Sequence, residues 1–139
     1  MKRYQTIVRV VFGLIFVAGG VSHLFLGQLQ PDGYAAFAQT ALFPWLADLW
    51  MSFVMPNIGW LTIALGIYEI ACGVGMSRRR LVRLAAAGMV VFLVFITIVG
   101  YGFPTESHGE DLLKNRLITI VMAAALFPLL RAPRRGGNP

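Results

Sequence analysis

The sequence predicts an all-α fold, a four-helix transmembrane bundle with an interfacial helical segment between helices 1 and 2. Three observations lead there. Four apolar runs fall over residues 7–26, 54–76, 84–103 and 112–130, each close to the ~20 residues that carry a helix across a hydrocarbon core. Charged side chains are 13% of the chain against 58% apolar, far below the roughly 25% charged of soluble domains. Basic residues gather between and beyond the runs: Lys2 and Arg3 before the first, Arg78, Arg79, Arg80 and Arg83 between the second and third, and Arg131, Arg134 and Arg135 after the fourth. Helices are required because the bilayer offers no water to satisfy backbone groups.

The length gives one membrane domain over 1–130 and a basic tail over 131–139. The first run is long for a signal-peptide core and lacks an A-x-A-like site, so it is expected to stay as a span. Residues 27–53 hold Asp32 and Asp48 with no Lys or Arg, and residues 104–111 hold Glu106, Glu110 and Asp111, again with no base. The positive-inside rule then places both termini and the Arg78–Arg83 loop in the cytoplasm. The net charge of +6 flanks the spans and speaks for lipid headgroups, not nucleic acid. Residues 31–53 carry Pro44, Trp45, Asp48 and Trp50. They are expected in the outer interface, tryptophans at headgroup level, or as a cap on the bundle. Pro31-Asp32-Gly33 is a turn signal.

Chemistry concentrates on two helices. Arg9, Phe12, Gly13, Phe16, Gly19, Gly20 and His23 share one face of span one, and Gly59, Thr62, Gly66, Glu69 and Gly73 one face of span two. Small residues at these spacings let backbones approach, so Gly13, Gly19, Gly20, Gly59, Gly66 and Gly73 read as helix packing. Glu69 is the only acidic residue inside a span. Its depth, counted from the flanking arginines, matches that of Arg9, so a buried Arg9–Glu69 pair is expected. That pair either fixes register or serves a proton or quinone-headgroup site, with Tyr68 and Cys72 at its rim. His23, His108, Asn115 and Arg116 are the polar candidates toward the outer side. Arg116 could snorkel or pair with Glu106, Glu110 or Asp111. Thr97 and Tyr101 are the polar groups of span three. His23, His108 and the acidic loop have no metal-ligand spacing, so no metal is expected. The lone Cys72 forms no disulfide within the chain. No phosphate-binding, dinucleotide-binding or haem-attachment motif is present, so no cofactor is evident beyond quinone.

Arg9 with Gly13, the Ala18-Gly19 step followed by His23, and Gly66-x-x-Glu69-x-x-x-Gly73 resemble the DoxX-like family of small four-helix bacterial membrane proteins. The resemblance runs over nearly the whole chain. It implies a membrane subunit associated with redox partners, the family taking its name from a subunit of a thiosulfate:quinone oxidoreductase. Arg9, His23 and Glu69 are the matching polar residues. The expectation is a non-catalytic subunit or anchor of a larger redox or respiratory complex, with protein partners or a homo-oligomer in the bilayer. A quinone-linked oxidoreductase component with a buried Glu/Arg site is the alternative. A small transporter or lipid-handling protein fits less well, since four short helices enclose little space.

Overall fold

The computed structural model describes residues 2–131. The expected tail, with Arg134 and Arg135, falls outside the described residues from 132 onward. Among the described residues all regular structure is helical. Helix α1 spans Lys2–Leu29. A 3-10 segment, Pro31–Thr40, follows it. Helix α2 runs from Pro44 to Gly75, α3 from Val82 to Val99 and α4 from His108 to Leu130, and with α1 these are the four helices long and apolar enough to cross a membrane. They form a ring in chain order, α1 on α2, α2 on α3, α3 on α4 and α4 on α1. One end carries the start of α1 and the Arg78–Arg83 loop; we call it the arginine end. The other is closed by Pro31–Thr40 and the α3–α4 connection, and we call it the capped end.

Helix limits differ from the apolar runs where local chemistry intervenes. The second span begins at Pro44, not at 54, because Pro44 occupies the first helical turn, where its missing N–H costs nothing. A π-type turn at Trp50–Val54 and a 3-10 turn at Met55–Asn57 absorb Pro56 without ending the helix. Only residues 31–40 form a separate segment. The third span stops at Val99 because Gly100 and Gly102 take φ of 83° and 77°, a region L side chains avoid. The fourth starts at His108 because Ser107 caps it, accepting from Glu110 N–H at 3.2 Å.

Pro31–Thr40 is a cap. Tyr34 and Thr40 are buried, and Thr40 donates to the Val99 carbonyl at 3.1 Å and accepts from Gly102 N–H at 3.0 Å. Trp45 is exposed, as an interfacial residue should be, but Trp50 is buried. The headgroup expectation fails for Trp50 because its indole N–H donates to the Tyr34 carbonyl at 2.8 Å and its ring stacks with Phe37 and Phe95.

Two interactions hold the bundle. Along the α1–α2 seam the backbones touch at glycines. A Cβ at Gly20 would lie 2.5 Å from the Gly66 carbonyl oxygen, and one at Gly73 would lie 2.7 Å from that of Gly13. A Cβ at Gly27, absent from the expected packing set, would overlap the Thr62 side chain. Gly59, by contrast, faces only the Gln28 side chain, at ordinary contact distance. The other interaction is the buried Arg116 at the capped end. It donates to Asp111 Oδ2 at 2.7 Å, to the Thr97 carbonyl, to the Ile98 carbonyl at 3.3 Å and to the Thr40 carbonyl at 2.6 Å. It does not snorkel; it satisfies the last carbonyls of α3 and ties in the cap. Asn115 beside it receives Tyr101 N–H at 3.2 Å and Phe103 N–H at 2.9 Å, and donates to Phe103 O and Asp111 Oδ1, both at 3.0 Å.

Two outcomes follow for thermal or chemical unfolding in detergent. Gly20→Val should cost about 1–3 kcal/mol from overpacking, while Gly59→Ala stays within about 0.5 kcal/mol. Arg116→Gln should cost about 1–3 kcal/mol or more, because the Thr97, Ile98 and Thr40 carbonyls lose their donor.

Candidate functional site

Register decides which polar groups meet. Gly13 faces Gly73 and Gly20 faces Gly66, so Glu69 lies beside Gly19. A Cβ at Gly19 would stand 3.5 Å from both carboxylate oxygens of Glu69. In a helix each side chain leans toward its own N-terminus. On the antiparallel pair α1 and α2, His23 therefore leans toward the arginine end and Glu69 toward the capped end. They converge: His23 Nε2 is 3.5 Å from Glu69 Oε2.

The contact extends into the cap. His23 Nδ1 is 2.6 Å from the Tyr34 hydroxyl. Tyr34 follows the Pro31-Asp32-Gly33 turn, which returns the chain over the end of α1. Burial pushes the Tyr34 phenol up from its ordinary value, and the negative charge of Glu69 pushes it further. The phenol stays protonated and so can donate to Nδ1; in that tautomer Nε2–H is directed at Glu69. Tyr101, in the α3–α4 connection, is raised by the same two causes, burial first, so its hydroxyl also senses Glu69. Tyr34, Phe37, Trp50 and Phe95 form a run of stacked rings with centroids 5.6–6.4 Å apart. Glu69 is buried, and its Oε2 accepts no hydrogen bond among the described residues. A buried acceptor in that condition costs on the order of 1–3 kcal/mol, so it calls for a partner.

The Arg9–Glu69 pair is not formed. Arg9 Nε donates to the Met76 carbonyl at 2.9 Å and Nη2 to the Ser77 carbonyl at 3.2 Å. It caps the C-terminal end of α2, where a cation suits the helix dipole. Counting inward from flanking arginines misjudged the depth. The glycine contacts set Arg9 opposite Met76, seven residues from Glu69 and about 10 Å along the axis. Tyr68 is also elsewhere. Its hydroxyl donates to the Gly88 carbonyl at 2.7 Å, on the α2–α3 seam beside the buried Cys72. Neighbouring residues on a helix point about 100° apart, so Tyr68 cannot share the face of Glu69. His108 is exposed at the start of α4 and does not meet His23. Asn115 and Arg116 are occupied by the cap network. Among the described residues no three His, Cys, Asp or Glu side chains cluster as a metal site.

The DoxX family model matches residues 4–102, from α1 through α3 and into the connection that follows. This chain belongs to the DoxX family. With four helices of spanning length, it is a multi-pass DoxX membrane protein. No curated protein and no solved structure matches it. The matched region holds Arg9, His23, Tyr34 and Glu69 and ends before His108, Asn115 and Arg116. Tyr34 is the site residue that the sequence reading passed over.

A double-mutant cycle on folding stability separates the observed neighbour of Glu69 from the expected one. His23→Gln with Glu69→Gln should show a coupling energy of about 0.5–3 kcal/mol, whereas Arg9→Gln with Glu69→Gln should be additive within about 0.5 kcal/mol.

Proposed function

We propose that this DoxX protein is a single-domain subunit of the bacterial cytoplasmic membrane, with both termini cytoplasmic. In this reading it serves a larger redox complex and does not carry electrons by itself. The Glu69–His23–Tyr34 chain is its working site, and the ligand class is a membrane-soluble quinol. One observation supports this above the others: a buried carboxylate oxygen with no hydrogen bond, next to an imidazole and a phenol already linked to each other. A carboxylate accepts hydrogen bonds, so the fitting group is a hydroxyl on a ligand that lives in the bilayer. The aromatic rings of Phe37 and Trp50 supply the apolar surroundings such a ligand prefers.

The residues divide the work. Glu69 Oε2 accepts the ligand hydroxyl and is the group that would hold its proton. His23 orients the Glu69 carboxylate through its ring edge. Tyr34 holds the imidazole ring in one tautomer. The electron acceptor belongs to the partner complex. A plain anchor is the second reading, favoured by the glycine contacts and the Arg116 network, which serve stability alone.

Purification in gentle detergent with mass spectrometry of co-purifying proteins and lipids tests both readings. The proposal expects redox-complex subunits together with quinone near one per chain. Glu69→Gln should keep the partners while quinone affinity falls about 10–100-fold, the loss of a hydrogen bond to a charged group. Partners without quinone would leave the anchor reading standing and remove the quinol site. Recovery alone with phospholipid would remove both.

A further inference from the structure

A second feature lies on the same α1–α2 seam, at the arginine end and away from Glu69. It is a groove of about 440 Å³ beside the Gly13–Gly73 contact, lined by Val10, Leu14 and Val17 and bordered by Arg9. Val10 and Leu14 are exposed, so the groove opens onto the bilayer-facing surface. Arg9 sits at the level of the last carbonyls of α2. Two of its N–H groups are held by Met76 and Ser77, which fixes the guanidinium in place. No carboxylate pairs with it: none of the ion pairs among the described residues includes it.

The groove is amphipathic along its length. A fixed cation stands at the end next to the exposed Arg78, Arg79 and Arg80. From Arg9 to Val17 the wall is then apolar for about 12 Å. A free phosphate would use only the first part and a hydrocarbon only the second. We propose that this groove seats one anionic phospholipid, its phosphate on Arg9 and an acyl chain along Val10, Leu14 and Val17. Guanidinium groups match phosphate oxygens in geometry as well as charge, and basic residues at the membrane surface favour anionic lipid.

The test uses the full chain reconstituted in nanodiscs containing phosphatidylglycerol and phosphatidylethanolamine, followed by native mass spectrometry of retained lipid. The wild type should hold one phosphatidylglycerol per chain, enriched about fivefold or more over the mixture, the gain set by one well-placed arginine. Val10→Trp and Leu14→Trp each fill the groove from an exposed position while leaving the Arg9 residue unchanged, and each should erase the enrichment. The combined variant Arg78→Gln, Arg79→Gln and Arg80→Gln should keep it. No enrichment in the wild type would overturn the proposal. So would enrichment that survives both tryptophan variants, or that vanishes with the loop arginines.

Discussion

Glycine-to-glycine contact between α1 and α2 is the constraint on which the rest of this molecule depends. In lipid there is no hydrophobic drive to bring helices together, so close backbone approach must supply the association. Gly13 against Gly73 and Gly20 against Gly66 do this at a seven-residue spacing on both helices. That spacing fixes translation along the seam as well as distance. A shift of either helix by one residue would set side chains against carbonyls. Every polar encounter along the seam inherits this register.

The consequences run in both directions from those contacts. Toward the capped end, the register puts His23 against Glu69, and the Pro31–Thr40 segment adds Tyr34. Toward the arginine end, it puts Arg9 over the terminal carbonyls of α2 and leaves a groove beside Gly13. The two polar groups that share a face of α1 thus have separate duties, one capping a helix and one facing a carboxylate. At the capped end Arg116 and Asn115 meet the backbone groups that Gly100 and Gly102 would otherwise leave bare. A stable lid over the site depends on that network, because Thr40 joins both.

Much of the fold was legible because spans are written in composition. Four apolar runs, basic clusters at alternate connections and small residues at helical spacing carry the bundle, and the polar faces of α1 and α2 were visible from side-chain period alone. What composition does not encode is register. Arg9 and His23 lie on the same face of α1, and choosing between them for Glu69 requires knowing which glycines touch. Gly27 was missed and Gly59 over-read for the same reason: seven-residue spacing extends to both, but the capped end of the seam is filled by Thr62 and Gln28. Tyr34 was invisible because a short 3-10 segment has no periodic signal, and its partner lies eleven residues back on another element. Ser107-His108-Gly109-Glu110 was a readable start for α4, a capping residue three before an acid, hidden by the acidic loop around it.

Solid-state NMR in lipid bilayers tests the central claim most directly, by measuring dephasing of the Glu69 carboxyl carbon separately by histidine and by arginine side-chain nitrogens. The account predicts strong dephasing from histidine nitrogen, consistent with the 3.5 Å contact to Nε2, its disappearance in His23→Ala, and none from arginine. Strong dephasing from the arginine label would place Arg9 on Glu69 and contradict the register from which the site has been built.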